Sequence, residues 1–133
     1  MSASQAGYSA TPLQRKLGVQ PGTRVAVLGP SPDGFSEQLE GAVVTHRLGG
    51  RFELIIVFVT SQRELDARLA KLLAARGSHG AIWIAWPKRS SGVASDLDDL
   101  AVRHTGLATG LVDNKVCAID ATWSALRFVA RRP

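Results

Sequence analysis

Apolar residues fall along this chain in short blocks, and the blocks follow two different periods. Residues 23–28, 53–60 and 81–86 are nearly continuous apolar runs of strand length, the second rich in β-branched residues and carrying Phe58. Such runs, bounded by Gly, Pro and Ser, predict strands buried on both faces. The segments between them change to helical spacing. Ser61-Gln62-Arg63-Glu64 is a capping box, and Leu65, Leu69, Leu72 and Leu73 after it share one helix face. Gly77 and Gly80 flank the exit of that helix. A second helix is expected after Ser95 as cap, with Asp96, Asp98 and Asp99 in its first turn, where the dipole favours negative charge. Its apolar stripe is Leu97, Leu100 and Leu107, with His104 on the same side; Gly106 lies within it and Gly110 ends it at the latest.

Smaller elements complete the pattern. Thr11-Pro12-Leu13-Gln14 predicts a short helix, with Thr11 as cap, Pro12 at the first position and Gln14 closing a capping box; Gly18 stops it. Residues 35–40 suit about a turn and a half of helix, and residues 43–48 a further strand. Residues 112–120 and 123–131 read as two strands joined by a tight turn, an antiparallel hairpin. The alternation predicts an α/β fold, a three-layer Rossmann-like sheet, mostly parallel, ending in a C-terminal antiparallel hairpin. No repeat or linker divides residues 11–133, so one domain is expected there, after a flexible leader over residues 1–10.

Composition narrows the class. At 133 residues and 45% hydrophobic, the chain has the size of one domain and enough apolar material for a core. No apolar run approaches the roughly 18 residues of a membrane span. The N-terminus has neither the basic nor the apolar region of a signal peptide. Cys117 is the only cysteine, which excludes an internal disulfide and a multi-cysteine zinc site and fits a reducing, cytoplasmic setting. The net charge of +5 invites a polyanion partner. The basic residues are scattered, however, and only Arg127, Arg131 and Arg132 cluster locally. Basic charge alone supports no more than nonspecific nucleic-acid binding, so a solvated surface of mixed charge is the favoured reading over a nucleic-acid partner.

Parallel strands followed by a hairpin resemble the class I methyltransferase arrangement, in which the last strand inserts antiparallel. Arg24-Val25-Ala26-Val27-Leu28-Gly29 looks like the first strand of that fold, and Gly80-Ala81-Ile82-Trp83-Ile84 like its later glycine-then-strand segment. A further resemblance is to a bacterial family of small proteins known only as a domain of unknown function. It is carried by Tyr8-Ser9-Ala10-Thr11-Pro12-Leu13, Lys16-Leu17-Gly18, Phe58-Val59-Thr60-Ser61, Trp86-Pro87-Lys88, Ser91-Gly92, Gly110-Leu111-Val112-Asp113, Lys115-Val116-Cys117-Ala118-Ile119-Asp120 and Trp123-Ser124. That resemblance implies a Rossmann-like fold and assigns no activity.

A dinucleotide or S-adenosylmethionine site needs glycines that let the backbone approach the ligand, and an acid after the second strand for the ribose. Here the loop after the first strand is Gly29-Pro30-Ser31-Pro32-Asp33-Gly34, and Pro30 and Pro32 lack N–H donors. No acid lies between Glu40 and Glu53; His46 and Arg47 stand in its place. The expectation is therefore no cofactor, with Asp33 as an unusual acceptor if one binds.

Chemistry is concentrated instead at residues 86–92, a loop stiffened by Pro87 that carries Lys88, Arg89, Ser90 and Ser91. In open α/β sheets ligands bind at the carboxyl ends of the strands. The turn from Asp120 to Trp123 should lie at the same edge, and Thr60 ends a neighbouring strand there. Lys88, Arg89, Ser91, Asp120, Trp123 and Thr60 are thus the candidate binding residues, for an anionic small molecule. Against this stands a reading in which Lys88 and Arg89 are solvated and Trp123 is core. Trp83 is assigned to the core outright. His46, His79 and His104 lack metal-ligand spacing, Cys117 is expected to be a buried, inert thiol, and no nucleophile-elbow motif is present. Three functions follow: a cofactor-free binding or regulatory module, a small enzyme acting on an anionic molecule at the strand-end crevice, and a basic nucleic-acid-associated protein. The first is preferred.

Overall fold

The computed structural model describes residues 11–132, so the leader expected over residues 1–10 lies outside the described residues. The chain runs through α1 (Leu13–Lys16), β1 (Arg24–Leu28), β2 (Val43–Thr45), β3 (Phe52–Phe58), α2 (Gln62–Ala75), β4 (Arg76–Pro87), α3 (Asp99–Ala108), β5 (Val112–Ala118) and β6 (Trp123–Val129), with 3₁₀ turns at Ser36–Gln38 and Arg89–Ser91. The strands form one sheet in the order β2-β1-β3-β4-β6-β5. β1, β2, β3 and β4 are parallel; β6 runs antiparallel to both β4 and β5. The α/β sheet with its terminal hairpin is therefore the one the apolar blocks predict. No helix among the described residues is long and apolar enough to cross a membrane.

Strand alternation sorts the core into two faces. Ala26, Ile55, Val57, Ile82, Ile84 and Phe128 point to one face, where α2 and α3 supply Leu65, Leu72 and Val102. Val25, Val27, Ile56, Phe58, Trp83 and Ala125 point to the other, where Leu17, Val19, Phe35 and Leu39 cover them. The second layer is thin. It consists of a four-residue helix, a 3₁₀ turn and the connecting chain. Trp83 is fully buried within it, and its indole N–H donates to the carbonyl of Leu17 at 2.9 Å. This bond ties the N-terminal segment across the sheet and satisfies the buried indole donor.

Ser61 caps α2, the Glu64 N–H donating to Ser61 Oγ at 3.1 Å, but the return half of the expected box falls one residue earlier, with Glu64 Oε1 accepting the Thr60 N–H at 3.0 Å. Four further local expectations are corrected. α3 is capped by Asp98, whose Oδ1 accepts the Ala101 N–H at 2.8 Å, while Ser95 only turns the chain by accepting the Leu97 N–H. The buried face of α3 carries Val102 and Gly106, so Leu100 and Leu107 face solvent, 73% and 43% exposed. Gln14 closes no capping box at α1; its Oε1 accepts the Glu40 N–H and ties α1 to the loop before β2. Finally, α2 passes directly into β4. Phe52 pairs with Arg76 and Leu54 with Ala81, so residues 77–80 bulge from the strand instead of forming a helix exit.

Candidate functional site

The carboxyl ends of β1, β2, β3 and β4 share one edge of the sheet, and the topological switch lies where β1 is flanked by β2 on one side and β3 on the other. At this edge β1 is followed at once by Gly29, with φ +84°. A Cβ there would stand 2.0 Å from the carbonyl oxygen of Phe58. The glycine is required because the chain turns away hard against the end of β3. Ser31 N–H then folds back on the Gly29 carbonyl at 2.8 Å, and Phe35 N–H on that of Pro32 at 3.0 Å. Beside it, the Nδ1 of His46 lies 3.1 Å from the Val27 carbonyl, in the tautomer that donates. The imidazole thus satisfies the β1 backbone just where β2 stops.

The loop after β4 and the turn before β6 meet at the same edge. Lys88 N–H donates to the Thr122 carbonyl at 2.7 Å, and Lys88 Nζ to the Asp120 carbonyl at 2.8 Å. Asp120 Oδ1 accepts the N–H groups of Thr122 and Trp123, both at 2.8 Å, which closes the turn. Ser91 Oγ donates to the Lys88 carbonyl at 2.6 Å and accepts the Val93 N–H at 3.1 Å. Arg89 pairs with Asp98 at 3.3 Å while 87% of its side chain stays exposed, a pair worth little in water. Trp123 is buried and packs edge-to-face on Phe58 with ring centroids 5.0 Å apart; Phe58 packs in turn on Phe35 at 5.1 Å. Thr60 gives its backbone donor to the α2 cap.

Lys88, Ser91, Asp120 and Trp123 therefore come together, with Arg89 at the rim and Thr60 on the neighbouring strand end. Their hydrogen bonds run mostly to one another or to backbone. What they leave for a ligand is the remaining N–H donors of Lys88 and the guanidinium of Arg89, which suit an anion. No nucleophile stands beside a base in this group, and among the described residues no cluster of three or more His, Cys, Asp or Glu could hold a metal. Cys117 is buried on β5, and burial pushes its thiol pKa up, against the opposing pull of Lys16 and Lys115. It is a poor nucleophile at neutral pH.

A second constellation escapes sequence reasoning. Lys115 stands opposite Arg127 across the β5–β6 hairpin, and Arg15 and Lys16 line the same open groove as Lys115. The hairpin register, counted back from the Asp120 turn, could have revealed the first pair. Nothing in the sequence brings α1 to β5.

No family model matches the chain, and no curated protein matches it. Solved structures do. The magnesium protoporphyrin IX methyltransferase of Synechocystis, with bound S-adenosylmethionine, superposes with a TM-score of 0.60 at 12% identity, covering 84% of this chain and 71% of that one. The N-methyltransferase NodS of Bradyrhizobium japonicum, in complex with S-adenosyl-L-homocysteine, gives 0.61 at 12% identity, over 90% and 84%. Aeropyrum pernix fibrillarin, with natively bound S-adenosyl-L-methionine, gives 0.59 at 12% identity, over 92% and 70%. At these identities the likeness is one of fold: the chain is built on the Rossmann-like sheet of class I methyltransferases, with the antiparallel strand inserted beside β4.

Proposed function

We propose that this chain is a methyltransferase-fold binding module that works without S-adenosylmethionine. The contact between Gly29 and the Phe58 carbonyl supports this most directly. In nucleotide-binding sheets the glycines after the first strand leave room for a ligand to meet the backbone. Here the space a Cβ would take is already filled by the protein's own backbone. Pro30 and Pro32 remove donors from the same loop. The position of the ribose acid falls at His46, whose ring is engaged with Val27. These residues do not fit the cofactor.

Thermal melts with S-adenosylmethionine and S-adenosylhomocysteine test this reading. A ligand at a hundred times its Kd stabilises by about 2.7 kcal/mol, which raises Tm by several degrees in a domain of this size. No shift is expected. A saturable shift, confirmed by calorimetric titration, would overturn the proposal and return the chain to the methyltransferases. The free donors of Lys88 and Arg89 favour a second reading, in which a small anion docks at the strand-end rim. Inorganic phosphate that raises Tm in the parent, but not in Lys88→Ala, supports it.

A further inference from the structure

Four cations gather on the face of the β5–β6 hairpin turned away from α2 and α3. Lys115 is directly opposite Arg127 in the strand register. Like charges so placed destabilise a strand pair unless something neutralises them. Arg15 and Lys16 join Lys115 and Cys117 around an open groove of about 470 Å³. None of the four makes an ion pair among the described residues; Asp98, Asp99 and Asp113 are taken by Arg89 and Arg103. Among the described residues Arg127 reaches only Asn114, at 3.5 Å, and its buried Nε has no partner there. Among the described residues no carboxylate pairs with the patch.

The same hairpin ends the sheet. β5 has β6 on one side and no strand on the other among the described residues, which leaves a row of backbone donors and acceptors. Its side chains alternate. Lys115 and Cys117 point to the basic groove, while Val116, aligned with Leu126, points to the opposite face and is 67% exposed. A second copy of this chain is a poor match, because pairing two β5 edges would bring two sets of Lys16 and Lys115 together.

We infer that the β5 edge docks an extended acidic segment of another protein as a seventh strand, with carboxylates at alternate positions meeting Arg15, Lys16 and Lys115 and apolar side chains between them lying on Val116. Strand addition takes affinity from main-chain hydrogen bonds and specificity from alternate side chains, and this edge offers both. The inference gives the binding module proposed above its class of partner.

The probe is a fluorescein-labelled octapeptide of alternating Glu and Val, titrated into the full chain and followed by anisotropy. Its controls are the Lys/Val octapeptide, an oligothymidylate, and two Glu/Val peptides N-methylated at the Glu or at the Val amides. The Glu/Val peptide should bind, and the Lys/Val peptide should not. Lys16→Ser with Lys115→Ser should weaken binding about tenfold, and Arg63→Ala, at an exposed position of α2 on the other face of the sheet, should leave it unchanged. One N-methylated peptide should lose binding and the other keep it, because only one set of amides faces β5. If the double variant does not fold, Lys16→Gln alone provides the comparison. Absence of peptide binding overturns the inference. So does equal loss with both N-methylated peptides or with neither, or tighter binding of oligothymidylate, which would mark a nucleic-acid surface. The melts with S-adenosylmethionine are read separately: a positive shift there with intact peptide binding removes the cofactor-free reading and keeps the docking edge.

Discussion

Gly106 of α3 faces the ring of Phe128 on β6 so closely that a Cβ on the glycine would stand 2.1 Å from Cε1 of the ring. The helix can approach the sheet at this point only because the side chain is absent. Phe128 is buried in the core with Leu126, Leu111 and Val102, and the cavity that it lines with Gly106, about 10 Å³, is too small to take up a displaced ring.

The consequence is a prediction whose sign opposes helix propensity. Alanine is favoured over glycine in a helix interior by about 1 kcal/mol. Overpacking a filled core costs about 1–3 kcal/mol, and a contact this short lies at the upper end. Gly106→Ala should therefore lower stability, seen as a reduced urea midpoint at unchanged slope. A raised midpoint would mean that α3 lifts from the sheet without cost.

The same glycine explains why the phase of α3 was illegible in the sequence. Counting apolar side chains places Leu100 and Leu107 inward. The helix instead turns its smallest residue to the sheet, and a residue without a side chain carries no signal in such a count. The strands were legible because their apolar runs are continuous and bounded by Gly and Pro, and because Ser61 and Glu64 start α2 by a local rule. The meeting of Lys88 with Asp120 followed from topology, since both loops leave strands at one edge. The groove between α1 and β5 was not legible. Lys16 and Lys115 are brought together by packing of the N-terminal segment, through contacts such as Trp83 with Leu17, and such contacts follow no periodicity.

Gly29→Ala should be among the most damaging single changes in the chain. Its positive φ costs an alanine about 1–2 kcal/mol, and the clash with the Phe58 carbonyl adds to it. The loss should be the same with and without S-adenosylmethionine, measured as the difference in melting temperature. A variant that is stable but loses a cofactor-induced shift would show that the glycine serves a ligand.

Lys88 acts here as a strut between the β4 loop and the β6 turn, and Ser91 braces the β4 loop itself. An ordinary hydrogen bond contributes about 0.5–1.5 kcal/mol. Lys88→Met should accordingly lower stability modestly, and Ser91→Ala by a similar amount, because two bonds of the 3₁₀ turn pass through its hydroxyl. Urea titration of each variant measures this. Stability unchanged in both, together with a lost response to phosphate, would assign them to a ligand instead.

Asp98 links the acid stability of the protein to the cap of α3. Its carboxylate accepts the Ala101 N–H, and this bond is the largest cause holding its pKa below the ordinary 3.8; Arg89 adds to the effect and partial desolvation opposes it. A carboxylate with a depressed folded pKa contributes stability that is fully present above its unfolded pKa and is lost as pH falls through the folded one. The window therefore opens near pH 3.8 and extends below it. Asp98→Asn keeps an oxygen at the cap but cannot titrate. The parent should be the more stable protein at pH 6, and the gap to Asp98→Asn should narrow as pH falls from about 5 to 2. Urea midpoints of the two proteins across that range provide the measurement. A gap that stays constant would show that the carboxylate is not coupled to folding and that the cap acts through its geometry alone.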